Sequence, residues 1–76
     1  MGYFKDDIIN KITVSAFTCQ GDPLKAKSII EKIMQYEKPV DEEISLIMEK
    51  MVFIALDNPK KFKQLASILV KKIKNG

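Results

Sequence analysis

The side chains able to do chemistry in this chain are lysines, carboxylates and a single thiol. Thirteen lysines, ten aspartates and glutamates and one cysteine stand among the 76 residues, with neither histidine nor arginine. Without histidine the chain lacks the side chain that most often serves as general base or metal ligand near neutral pH. Carboxylates and lysines can take such roles, but no spacing here pairs them. There is no glycine-rich phosphate loop and no metal-ligand pattern. Cys19, alone in the sequence, excludes an internal disulfide and a cysteine metal cluster. It falls on the apolar stripe of its helix, where a thiol behaves as a small core residue. The expectation is a protein that is not an enzyme and carries no cofactor and no metal.

Every basic residue is lysine. Lysine is a point charge and lacks the bidentate fork with which arginine reads guanine or clamps phosphate, which weighs against a base-reading DNA binder. The charge is also uneven. From Asn58 onward there are six lysines and no acid, whereas the preceding part carries seven lysines against ten acids, for a net charge of +3. Lys71, Lys72 and Lys74 close a helix, where the dipole favours cations. Lys60, Lys61 and Lys63, and likewise Lys25 and Lys27, crowd the first turns of helices, where the dipole opposes each by ~0.3 kcal/mol or more. Should those two helix N-termini share one edge, five lysines and two sets of free backbone N–H groups would converge on an anion. The target would be phosphate, nucleic acid or an acidic protein surface. No exposed aromatics interleave with them, which weighs against single-stranded nucleic acid.

The elements that position these residues are helices. Phe4, Ile8, Ile12, Ala16 and Cys19, widened by Ile9, form one stripe of a helix from Tyr3 to Gln20. Gly21 reads as its stop. Asp22-Pro23 supplies an N-cap and first-turn proline for a second helix carrying Ala26, Ile29, Ile30, Ile33 and Met34, which ends before Lys38-Pro39. A third, Val40 to Leu56, is the most apolar stretch and the one around which the rest is expected to pack. Asp41, Glu42 and Glu43 favour its start, and Ile44, Ile47, Met48, Met51, Val52 and Ala55 form its stripe. Asn58-Pro59 repeats the cap chemistry for a last helix with Phe62, Leu65, Ala66, Leu69, Val70 and Ile73 inward, closed by Asn75 and Gly76. No segment alternates as a strand would.

The sequence matches itself at an offset of 36. Asp6-Asp7-Ile8 aligns with Glu42-Glu43-Ile44, Phe17 with Phe53, Asp22-Pro23 with Asn58-Pro59, and Lys25 and Lys27 with Lys61 and Lys63. Two helical hairpins of equal length and similar design follow. The fold class is therefore all-α, a single domain over residues 1–76, built as a four-helix bundle or as a two-repeat helical stack. Gln20-Gly21-Asp22 followed by Ala26 resembles the hairpin turn and second helix of a tetratricopeptide-type repeat. The resemblance covers under half the chain. Val14 stands where those repeats place a small residue and Pro23 is an unusual occupant of the turn, so no functional residue is carried over.

A second candidate surface lies away from the main stripes. Tyr3, Val14 and Phe17 on the first helix and Leu46 and Phe53 on the third fall on the opposite side of their helices. If these helices adjoin, the five make one apolar strip suited to a protein interface or a dimer contact, with the aromatics as anchors. The leading expectation is a small regulatory protein, an adaptor or inhibitor, that binds another protein through this strip with a lysine rim, with a homodimer as one form. The alternatives are a nucleic-acid binder using the lysine edge, or a small bacterial immunity or mobile-element regulator; the latter rests on a short, Arg-free, Lys- and Ile-rich composition. No apolar run is long enough to span a membrane. Acids stand where a signal peptide would be basic, and Asp6 occupies the Ser/Thr position of a myristoylation motif, so the chain is expected in the cytoplasm.

Overall fold

The computed structural model of this chain describes residues 2–37 and 41–75, with side chains from residue 6 onward. The side chains of Tyr3 and Phe4, the stop at Lys38-Pro39, the start at Val40 and the end at Gly76 lie outside the described residues. Four helices follow in order: α1 Gly2–Thr18, α2 Pro23–Tyr36, α3 Glu42–Ile54 and α4 Pro59–Asn75. Among the described residues there is no strand.

The helices begin where the capping side chains dictate. At α2 the Asp22 carboxylate accepts from the Lys25 backbone N–H at 3.1 Å, and at α4 the Asn58 side chain accepts from Lys61 N–H at the same 3.1 Å. At α3 the Asp41 carboxylate accepts from Glu43 N–H at 2.8 Å and Ile44 N–H at 3.4 Å. Each such cap is worth about 1 kcal/mol. The 36-residue offset is visible in the backbone of both hairpin turns. Gly21 and Asp22 N–H donate to Thr18 C=O at 3.1 and 2.8 Å, and their counterparts Asp57 and Asn58 donate to Ile54 C=O at 3.1 and 2.8 Å. Gly21 is not in the left-handed conformation expected of a helix-stopping glycine; aspartate holds the same place in the second turn.

α1 packs on α2 and α4, and α3 packs on α2 and α4, so the four helices close a ring. A two-repeat stack would leave α1 and α4 apart. The fold is accordingly a four-helix bundle, and the likeness to a tetratricopeptide-type hairpin stops at the first turn. The bundle is 33 × 21 × 20 Å. In this ring α1 and α3 are diagonal and run the same way, as do α2 and α4. The 36-residue offset maps each helix onto its diagonal partner, which is a twofold rotation about the bundle's long axis.

The core follows the stripes. Ile12 and Cys19, Ala26, Ile30 and Ile33, Met48, Met51 and Ala55, and Phe62, Leu65, Ala66, Leu69 and Ile73 are buried in one cluster. The sequence points to α3 as the hub, but α4 places the largest share of its side chains in the core. Being apolar on two sides, α3 gives one of them to solvent. Phe62, in the first turn of α4, is fully buried, a contribution of about 1.5–3 kcal/mol from transfer alone. Ser15 is buried too, on the same face of α1 as Ile12 and Cys19, and its hydroxyl donates to Ile12 C=O at 2.6 Å. That bond spares the cost of an unpaired buried polar group.

Candidate functional site

Because α1 and α3 are diagonal, the five off-stripe residues do not form one strip. Val14 and Phe17 project from α1, and Leu46 and Phe53 from α3, on opposite sides of the bundle; the side chain of Tyr3 is not among those described. All four are exposed, Phe17 by 80% and Phe53 by 83%. Burial of these aromatics within a compact domain is thereby ruled out for the chain on its own. Leu24, Tyr36, Leu56 and Ile68 are exposed as well, yet their counterparts across the repeat are Lys60, Lys72, Gln20 and Lys32. Phenylalanine at 17 and 53 is the exposed apolar position that both halves share.

Each phenylalanine borders a groove. Thr13, Ala16 and Phe17 of α1 face Lys63, Ala66, Ser67, Val70, Lys71 and Lys74 of α4. Ala16, Ala66 and Val70 make its apolar floor and three lysines its rim. On the other side Glu49, Val52 and Phe53 of α3 face Glu31, Met34 and Gln35 of α2. All six of these residues are counterparts, at an offset of 36, of residues lining the first groove. Glu49 replaces Thr13, Glu31 replaces Ser67, Met34 replaces Val70 and Gln35 replaces Lys71. Among the described residues that line them, the two grooves share a frame and a phenylalanine and differ in charge, basic on α1/α4 and acidic on α2/α3; Lys38, the counterpart of Lys74, lies outside the described residues. Lys27, the counterpart of Lys63, does not line the acidic groove. Leu46 and Phe53 also border a groove between α3 and α4, with Ile47, Glu49, Lys50 and Leu65.

The lysine edge is arranged differently from the sequence expectation. The up-down course of the helices does put the N-termini of α2 and α4 at one end of the bundle, and Cys19 Sγ at the end of α1 lies 3.5 Å from Pro59 C=O at the start of α4. Lys25, Lys27, Lys60, Lys61 and Lys63 therefore share that end. The backbone donors are mostly spent, however. Proline at the first helical position has no N–H, Asp22 and Asn58 N–H are bonded back to the preceding helix, and Lys25 and Lys61 N–H are held by the caps. Only Leu24 and Lys60 N–H are left at these two termini, and Asp22 puts a carboxylate beside one of them. Phosphate cradles need several convergent N–H groups, so what the end offers an anion is chiefly lysine charge.

Cys19 is buried, with Sγ 3.2 Å from Ala16 C=O. Burial pushes its pKa above the ordinary thiol value, partly offset by the Lys63 ammonium nearby. It is set up as a core residue and not as a nucleophile. Among the described residues no three metal-ligating side chains converge, and no helix is long and apolar enough to cross a membrane. Composition singled out Lys60, Lys61 and Lys63 and passed over Lys71 and Lys74, which rim the basic groove with Lys63. It also passed over Glu31 and Glu49. Comparing the two halves position by position marks these residues once the helix ring is known. Searches for similar proteins found no matching family, no matching curated protein and no matching solved structure.

Proposed function

We propose that this chain is a small, non-enzymatic interaction protein of the cytoplasm that regulates a partner by docking an acidic amphipathic segment in the α1/α4 groove. The observation that carries this reading is Phe17, 80% exposed beside an apolar floor with Lys63, Lys71 and Lys74 around it. An aromatic anchor on a desolvatable floor supplies most of the affinity in such contacts, and rim charges set partner sign and encounter rate. A helix in a groove between two helices places its apolar side on the floor and its carboxylates on the lysines.

The test is a titration of acidic amphipathic helical peptides, with basic peptides of the same apolar pattern as control, followed by backbone amide shifts. The expected result is saturable binding of an acidic peptide with shifts at Thr13, Ala16, Phe17, Ser67 and Val70, weakened about tenfold or more by F17A. No binding by any acidic peptide, or binding that F17A leaves unchanged, overturns the reading. A short DNA duplex serves as the opposing probe. Shifts centred on Lys25, Lys27, Lys60 and Lys61 that vanish with salt would move the function to the lysine end of the bundle.

A further inference from the structure

We infer that the acidic α2/α3 face of a second copy of this chain is itself an occupant of the basic α1/α4 groove, so that copies join head to tail. This rests on the reading of the α1/α4 groove as a docking site for acidic apolar surfaces, and it names one such surface.

The argument starts from the repeat. The two grooves occupy equivalent places in the twofold frame, and each presents a phenylalanine beside apolar side chains, Ala16, Ala66 and Val70 in one and Val52 and Met34 in the other. A basic groove laid on an acidic groove puts Phe53 of one copy on the Ala16, Ala66 and Val70 floor of the other. It puts Phe17 against Val52 and Met34 in return. The carboxylates of Glu31 and Glu49 then face Lys63, Lys71 and Lys74. Two basic grooves, or two acidic grooves, would set like charges against each other, which disfavours a symmetric contact through either groove. The long face of the bundle, 33 Å by about 20 Å, is comparable with the ~800 Å² that one partner gives to a standard interface.

The geometry also fixes the form of the assembly. The basic and acidic grooves lie on opposite sides of the bundle, half a turn apart about its long axis. A basic-to-acidic contact therefore leaves an unused acidic groove on one copy and an unused basic groove on the other. Such a heterologous contact does not close on itself at two copies; it propagates as a chain.

Sedimentation velocity of the full chain tests this, with wild type, F17A and F53A each run alone and the two variants mixed, at low and high salt. Wild type is expected to grow past a dimer with rising concentration at low salt and to shorten at high salt, because the rim charges are screened. F17A impairs the basic groove of every copy and F53A the acidic groove of every copy, so each alone is expected to be a folded monomer. Mixed, they retain one intact pair of grooves, the basic groove of F53A and the acidic groove of F17A, and are expected to form a 1:1 dimer that grows no further. Far-ultraviolet circular dichroism confirms that both variants are folded. A monomeric wild type at every concentration overturns self-joining, as does a mixture that stays monomeric or a single variant that still associates by itself. None of those results bears on the acidic-peptide titration, which decides the groove reading separately.

Discussion

The exposure of Phe17 and Phe53 can be separated from a core role by thermodynamics. Removing both rings, in F17A/F53A, should leave the fold nearly as stable as wild type, whereas F62A should cripple it. Phe17 and Phe53 are 80% and 83% exposed, so about a fifth of each ring is out of water. Full burial of a phenylalanine is worth about 1.5–3 kcal/mol, which makes that fifth worth about 0.3–0.6 kcal/mol per ring. Alanine returns a similar amount, because aromatic residues lose side-chain freedom in a helix that alanine does not, a difference of about 0.5 kcal/mol. The double variant should therefore lie within about 1 kcal/mol of wild type. Phe62 is fully buried in the core cluster; its truncation carries both the transfer and the cavity cost, about 3–5 kcal/mol.

A domain of this size has roughly 4–11 kcal/mol of stability in total. F62A should thus lower Tm by more than about 10 °C, and the double surface variant by only a few degrees. Urea unfolding followed by circular dichroism at low protein concentration and high salt, where copies do not associate, is the assay. A loss above about 2 kcal/mol in F17A/F53A would mean that the rings are packed in solution, and would remove both the docking reading and the self-joining built on it.

Three further outcomes follow from the same structure. G21A should raise stability by about 0.4–1 kcal/mol, because Gly21 is outside the left-handed region and a Cβ there meets nothing closer than Thr18 C=O at 4.0 Å; a loss would show that the turn needs glycine. D22A and N58A should each cost about 1 kcal/mol and by similar amounts, since the two caps have the same 3.1 Å geometry; a silent N58A would break the equivalence of the two halves. Lys72 donates to Glu43 at 2.6 Å across the α3/α4 contact, and that hydrogen bond, then the carboxylate's charge, raises its pKa above the ordinary lysine value. Its stabilising effect is then fully present below the ordinary lysine pKa and is lost as pH rises through the raised value. K72M should accordingly flatten the alkaline limb of the stability profile, by a small amount because the pair is exposed; an unchanged limb would show that the pair contributes nothing.

What could be read from the residues was set by range. Helix stripes, caps and the offset of 36 are local patterns, and Asp22-Pro23 and Asn58-Pro59 announced both hairpin turns before any packing was known. The spent N–H groups at those turns were equally legible, since a cap and a proline use the donors an anion would need. The pairing of α1 with α4 was not, because nothing local distinguishes a ring of four helices from a stack of two hairpins. That one long-range contact separates Phe17 from Phe53, places Lys71 and Lys74 beside Phe17, and turns one imagined strip into two grooves. α3 looked central because it is apolar on two sides; in a ring each helix has two neighbours, and the extra apolar side of α3 faces outward.

The divergence of the two halves is where the function is expected to reside, and it can be reversed. The frame keeps phenylalanine at both repeat positions while the residues around it take opposite charges, Lys63, Lys71 and Lys74 on one side and Glu31 and Glu49 on the other. E31K/E49K would make both grooves basic. Both side chains are exposed, so stability should change by no more than about 0.5 kcal/mol for each. Head-to-tail joining should weaken by at least about tenfold, because every contact then opposes like charges. The same variant should bind two acidic peptides per chain where wild type binds one, since Phe53 with Val52 and Met34 offers the second a floor like that at Phe17. Sedimentation velocity reads the first effect and a peptide titration the second. A variant that still joins head to tail would show that charge does not select the contact. A variant that joins no longer yet still binds a single peptide would show that the α2/α3 groove is an edge to be bound and not a site that binds.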